Sequence, residues 1–396
     1  MGAAMFGGET IGERLTATRG RTTGFDYLRA GLSISVIAFH SVLTSYGEAY
    51  TRMVWNGWWR PFIAVILPAF FALSGFLVSA SLVRSKTIQE FLTLRVVRLV
   101  PALFFEVTIS ALILGPLLTV FTLRDYFASP LFRAYWLNIV GYIHFQLPGL
   151  FLDNPDPNMV NRQLWTIPVE LKCYLAITGI SLIGFSRKKW RMLALLALCI
   201  AAFPVIDFAK GQDPFGMDNV PAKVMIGSFL AGVTIFLFKD DLPLSRGLFL
   251  LSAALTFLCL SNRYASYIAS IPTAYLTVYL GLTNTRRTLV SRIGDYSYGL
   301  YIYGYAIQQA YAFLFPGFRV WWANIAASLT VAFICAALSW HLLEKPVLEN
   351  RKHAVAAVER AASFIGRRLK ALMPAQRRAA HRKQMQRASA DTDGGS

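Results

Sequence analysis

Apolar residues in this chain come in long blocks separated by short basic runs. Ten blocks lie near 25–46, 60–83, 97–118, 164–184, 191–208, 222–238, 244–261, 264–283, 296–315 and 320–343. A helix crossing a bilayer core needs about 20 such residues. The pattern predicts an all-α fold, a polytopic integral membrane bundle of about ten transmembrane helices. Pro68, Gly75, Pro168, Gly227 and Pro272 fall inside blocks, and membrane helices tolerate them because neighbouring helices re-satisfy the backbone. The stretch 119–163 is ambiguous, since Ala134 to Phe151 is apolar enough to pass for another span. A crossing there would carry the basic run Arg187-Lys188-Lys189-Trp190-Arg191 to the outside, so the stretch is read as interfacial or re-entrant on the external face.

Composition agrees. Of 396 residues, 55% are hydrophobic and 15% charged, against roughly 25% charged in an average soluble domain. That excludes an ordinary soluble enzyme, a disordered protein and a disulfide-stapled module. The net charge is +18, and its placement gives an orientation: 28 of the 39 Lys and Arg fall on the side of both termini and 9 on the other, with Arg29 and Lys172 inside blocks. The positive-inside rule puts both termini in the cytoplasm. The same placement argues against a nucleic-acid partner. The four cysteines, Cys173, Cys199, Cys259 and Cys335, sit in apolar blocks without metal-ligand spacing and read as buried small hydrophobes. No disulfide and no metal are expected. The expected organisation is a cytoplasmic segment 1–24, a membrane domain 25–346 opening on an uncleaved signal anchor, and a basic tail 347–396. In that tail Val355, Val358, Ala362, Ile365, Leu369 and Leu372 recur at helical spacing, as in an amphipathic helix on the inner leaflet. Trp55, Trp58 and Trp59 read as an external aromatic belt.

Ionisable groups inside a membrane segment cost about 2.5 kcal/mol or more each, which makes them functional candidates. They are Arg29, His40, Glu106, Glu170, Lys172 and His341. Counted at 1.5 Å per residue from the block ends, His40 lies about 8 Å and Glu170 about 9 Å below the external face. A histidine and a carboxylate at one level suit a base and its orienting partner; a lone His40 would serve as a polar contact between helices. Arg95 and Arg98 share a helix face at the cytoplasmic end of the third block. They suit a bidentate grip on phosphate, or serve only as positive-inside anchors. Lys172 suits a snorkelling role, as do His341 and Glu344 at the last block's interface. His144 reads as an interfacial histidine, and Glu106 pairs within the bundle or with a headgroup.

Several motifs, in order from about 24 to 348, resemble the acyltransferase-3 family of membrane O-acyltransferases. They are Phe25-Asp26-Tyr27-Leu28-Arg29 with Phe39-His40-Ser41, Phe70-Phe71-Ala72-Leu73-Ser74-Gly75-Phe76-Leu77, Arg95-Val96-Val97-Arg98-Leu99-Val100-Pro101, Leu164-Trp165-Thr166-Ile167-Pro168-Val169-Glu170, Ser297-Tyr298-Gly299-Leu300-Tyr301 and Leu343-Glu344-Lys345-Pro346. The resemblance implies ten core helices. It also implies transfer of an acyl group, usually acetyl, from cytoplasmic acyl-CoA, acting as co-substrate, to a hydroxyl of a cell-surface glycan or glycolipid. It implies catalytic roles for Arg29, His40 and Glu170, donor binding by Arg95 and Arg98, and substrate contacts from Trp165, Tyr298 and Tyr301. A bacterial inner membrane is the expected location. Many members carry a histidine where this chain has Gly304, and some carry a fused external domain; this chain looks like the stand-alone form. The competing class is a polytopic transporter or flippase of a polar lipid or sugar; it is disfavoured by the lack of an inverted repeat.

Overall fold

The computed structural model describes residues 8–20, 22–184, 188–211, 220–262, 265–284 and 296–372. Among these residues the regular structure is helical, and the sole pairing of strand type is a lone bridge between Thr10 and Pro243. Helix α1 (Ile11–Ala17) precedes α2 (Thr23–Asn56), α3 (Arg60–Arg84) and α4 (Ile88–Leu118). Two short helices follow, α5 (Leu123–Ala128) and α6 (Pro130–Tyr135). Then come α7 (Thr166–Leu182), α8 (Lys189–Ala209), α9 (Ala222–Leu237), α10 (Arg246–Ser261) and α11 (Ser270–Gly281). The last are α12 (Ser297–Leu314), α13 (Trp321–Glu349) and α14 (Arg351–Leu372).

Each of the ten apolar blocks therefore holds a helix. Five of these, α2, α3, α4, α8 and α13, are long and apolar enough to cross a membrane, while α9 and α10 are apolar but shorter. Successive helices run back and forth between two ends of the bundle. At the near end the Thr22 hydroxyl, before α2, donates to the Gly281 carbonyl that ends α11. At the far end Arg60 Nε, opening α3, donates to the Leu260 carbonyl near the end of α10 at 3.1 Å. Arg187, Arg263, Arg286, Arg287, Arg292 and the tail beyond Leu372 lie outside the described residues.

Local chemistry explains the helix ends and irregularities. Thr10 and Glu13 form a reciprocal capping box on α1, and the Thr87 side chain accepts the Glu90 N–H at the start of α4. α2 is kinked at Gly47, whose φ of 82° leaves helical geometry. Two π turns, Ser110–Leu114 in α4 and Trp340–Glu344 in α13, rotate the side chains that follow them.

The stretch between α4 and α7 does not cross the bundle; it folds back into it. It contains α5, α6, two 3-10 turns and irregular backbone, yet Tyr135, Asn138, Leu150, Val160, Asn161 and Leu164 are fully buried. Irregular backbone is acceptable at membrane depth where protein covers it. α12 supplies that cover: Gln309 Nε2 donates to the Asp156 and Met159 carbonyls, both at 2.6 Å, and Gln163 Nε2 donates to the Ile302 carbonyl at 2.7 Å. The stretch, called the re-entrant segment from here on, is thus packed into the bundle.

One other expectation changes. Trp55 is buried against Phe39 beneath the Arg60 guanidinium, so the exposed aromatic surface is Trp58 and Trp59. The N-terminal segment packs onto the bundle: Ile11 is fully buried and its N–H bonds the Leu242 carbonyl. The amphipathic tail helix starts at Arg351 and lies against the start of α4, where Thr87 donates to Glu359 at 2.7 Å.

Candidate active site

Among the described residues, the candidates from sequence fall into two polar clusters, one in each half of the bundle. The near-half cluster forms around Arg95 and Arg98 of α4. Arg95 Nη2 donates to Ser81 Oγ of α3 at 3.0 Å, while its buried Nε has no hydrogen-bond partner among the described residues. Arg98 Nη1 lies 4.0 Å from Glu344 Oε2, and its guanidinium stacks 5.8 Å over the Trp340 ring. Both arginines stand within electrostatic reach of Glu170 on α7, which takes a hydrogen bond from Tyr174 one turn along. Tyr298 of α12 closes the group, its hydroxyl donating to the Leu99 carbonyl at 3.4 Å. Two guanidiniums thus face two carboxylates, leaving local charge close to balance.

The far-half cluster forms around His40 of α2. The His40 ring meets the Tyr305 ring edge-on, with centroids 5.1 Å apart. Its buried Nδ1 has no hydrogen-bond partner among the described residues. Tyr305 donates its hydroxyl to Asp156 Oδ2, and Asp156 is held by Arg162 through a two-pronged contact, with Nε 2.9 Å from Oδ2. Asp156 and Arg162 both come from the re-entrant segment.

Between the clusters runs one face of α12. Tyr298, Tyr301 and Tyr305, spaced three and four apart, stack along it. Tyr298 meets the near cluster and Tyr305 the far one. Between them the Tyr301 hydroxyl bonds Thr166 Oγ1 at 2.7 Å and its ring meets Phe70. Tyr298 and Tyr305 are separated by about 10 Å of helix rise. Trp165 is half-buried beside this stripe, packed on the core.

The structure corrects the expected pairing of His40 with Glu170. Among the described residues no hydrogen bond or ion pair joins them. The depth count assumed that the fourth block starts at the external surface. Instead its first turn is drawn into the bundle, where Thr166 meets Tyr301. Glu170 then lies one turn towards the near end from that level and Tyr305 one turn towards the far end, an axial gap of about 12 Å. Arg29 is not brought to His40 either. It pairs with Asp26 at 3.2 Å, about 16 Å back along the same helix. Glu344 is not a snorkelling interfacial group: the π turn rotates it inward to accept from Ser339 Oγ at 3.0 Å, and it is 2% exposed. Lys172 is exposed. At Gly304 a Cβ would stand 2.7 Å from Ile37 Cγ1, so a larger residue here requires the Ile37 side chain to shift.

Tyr305, Asp156 and Arg162 did not stand out in the sequence. Arg162 counts there as an external loop charge, and Asp156 sits in the turn-forming run Asp153-Asn154-Pro155-Asp156-Pro157. Glu106, unassigned from sequence, is 1% exposed; its Oε1 accepts from Ser110, Tyr135 and Asn161 at 2.8, 3.2 and 2.5 Å.

A family model described as an acyltransferase domain matches residues 22–343. The chain is 28% identical over 306 residues to an O-acetyl transferase of Shigella phage Sf6, covering 72% of this chain and 84% of that protein. It is 27% identical over 375 residues to Nodulation protein 10 of Rhizobium leguminosarum bv. viciae, covering 85% and 96% respectively. No solved structure matches the chain.

Proposed function

Because the chain belongs to the acyltransferase-domain family, we propose that this membrane O-acyltransferase takes an acetyl group from cytoplasmic acyl-CoA and passes it to a hydroxyl of a cell-surface glycan or glycolipid. The supporting observation is the separation of two polar clusters along the tyrosine face of α12. The near cluster offers cations and the far one offers a base. The orientation that fits is both termini in the cytoplasm of a bacterial inner membrane, ten helices spanning, and α14 against the inner leaflet.

Arg95 and Arg98 hold the donor phosphates, which take over from Glu170 and Glu344 as partners of the guanidiniums. The unpartnered Nε of Arg95 is a donor waiting for such an anion. Arg29 adds positive charge on the same side. The pantetheine arm runs past Tyr298, Tyr301 and Trp165, delivering the thioester to His40. His40 removes the proton of the acceptor hydroxyl as that oxygen attacks the thioester carbonyl. Collapse of the tetrahedral adduct breaks the C–S bond, and the leaving thiolate takes the proton back from the imidazolium. The products are an ester and free CoA. Proton transfer of this kind contributes about 10²–10⁴-fold.

The test is purified protein in lipid with radiolabelled acetyl-CoA and a glycan acceptor. Wild type is expected to release free thiol and label the acceptor. His40→Gln is expected to lose at least about a hundredfold in turnover, with donor Kd unchanged. His40→Gln at the wild-type rate would remove His40 from the chemistry. Arg98→Ala is expected to raise the acyl-CoA Kd about tenfold or more, as befits loss of a charge-assisted bond of about 1.5–3 kcal/mol, and to leave acceptor KM alone. An unaltered donor Kd would return Arg98 to a topology signal.

A further inference from the structure

We propose that Arg162 is a further catalytic residue, whose guanidinium stabilises the oxyanion that forms on the thioester carbonyl beside His40. The inference rests on the assignment of His40 as the base and adds the electrophilic half of the site.

The argument begins with placement. Arg162 occupies the 3-10 turn Arg162–Trp165 that leads into α7, and this turn is drawn into the bundle. Its neighbours on both sides are fixed. Asn161 donates to Glu106 of α4 at 2.5 Å and to the Ile302 carbonyl of α12 at 3.0 Å. Gln163 bonds the Tyr301 and Ile302 carbonyls at 3.0 and 2.7 Å. A residue held between two such anchors has little freedom to move, so its charge is preorganised.

The direction of the guanidinium comes next. Nε and Nη2 are engaged by Asp156, a carboxylate only 4% exposed, while the Arg162 side chain is a third exposed. Nη1 lies outside that fork. Asp156 also receives the Tyr305 hydroxyl, and the Tyr305 ring stands edge-on to His40. The chain Arg162–Asp156–Tyr305–His40 is therefore contiguous, and the guanidinium acts electrostatically on the imidazole. A buried carboxylate that fixes an arginine in this way acts as a positioning residue.

The chemistry completes the assignment. When the acceptor oxygen attacks, the carbonyl π pair moves onto oxygen and a full negative charge develops there. His40 takes up the hydroxyl proton and becomes cationic, so it cannot also be the sole neutraliser of that oxygen. A fixed guanidinium stabilises the charged adduct more than the neutral thioester, which raises kcat without strengthening ground-state binding.

The test is steady-state kinetics of Arg162→Gln in lipid, with acetyl-CoA and the glycan acceptor, and binding of a non-reactive thioether analogue of acetyl-CoA as the folding control. The expected result is a fall in kcat of about 10²–10³-fold, both KM values within about threefold of wild type, and unchanged analogue binding. Arg162→Ala is expected to recover at least tenfold in rate with added guanidinium ion, a rescue that a purely structural role would not give. A kcat within threefold of wild type would overturn the proposal. So would a raised acceptor KM at full kcat, which would make Arg162 an acceptor contact instead. If Arg162→Gln fails to bind the analogue, Arg162→Lys carries the test. It keeps the ion pair with Asp156, and its point charge, drawn to that carboxylate, is expected to lose at least tenfold in kcat; full kcat overturns the proposal. Failure of His40→Gln to lose activity refutes the base assignment instead, so the two failures are distinguishable.

Discussion

At Glu106 a single carboxylate oxygen gathers three donors, from Ser110 on its own helix and from Tyr135 and Asn161 on the re-entrant segment. The residue pins to α4 the stretch that carries Asp156 and Arg162. Glu106→Leu would bury those donors without an acceptor, at about 1–3 kcal/mol each. Its melting temperature in detergent is expected to fall by more than about 5 °C, whereas Glu106→Gln, which keeps an acceptor oxygen, is expected to stay much closer to wild type. Equal losses in the two would mean that the site needs the charge rather than the bonds. His40 and Glu170 were legible because each stands inside an apolar run, where its cost makes it conspicuous. Arg95 and Arg98 were legible because their spacing puts two cations on one helix face. Asp156 and Arg162 were not, because they lie in a polar-looking stretch whose burial depends on the fold around it. Glu344 was hidden for another reason, since only the π turn at Trp340–Glu344 rotates it away from the interface.

The order and approximate place of the elements were legible, because about 20 consecutive apolar residues leave a chain few choices in lipid, but not their ends: α2 runs on to Asn56 and α4 starts already at Ile88. Element depth was not legible either. Counting rise from the block ends put His40 and Glu170 level, and the error lies entirely in where α7 begins: its first turn meets Tyr301 inside the bundle instead of starting at the surface. Helix contacts were hidden as well, since they rest on small residues scattered through uniformly apolar blocks. The crossing of α3 and α9 is the clearest case. A Cβ at Gly75 would press into the Phe229 backbone, with the carbonyl carbon 2.8 Å away, and one at Gly232 would meet the Ala72 backbone and, at 3.0 Å, the Phe76 nitrogen. Close backbone approach of this kind is the usual basis of helix association in membranes. Gly75→Val and Gly232→Val are each expected to abolish the monodisperse peak in detergent gel filtration; a folded, active Gly232→Val would show that the crossing can widen at no cost.

Across the whole molecule, the two clusters sit in opposite halves of one bundle, joined by the tyrosine face of α12 and fed from the far side by the re-entrant segment. The family relationship accounts for the acyl transfer; the direction proposed for it has the donor bound at the near end, the base towards the far end, and the acceptor approaching from beyond. The direct measurement uses sealed proteoliposomes in which sided protease cleavage of the tail beyond Leu372 reports orientation. Labelled acetyl-CoA is supplied only on the near-end face, and glycan acceptor is present on both faces. Label is expected on the glycan of the far face, at a rate that collapses in His40→Gln. Label confined to the glycan sharing a compartment with acetyl-CoA would contradict the account, because donor and acceptor would then meet on one side and the bundle would carry nothing across.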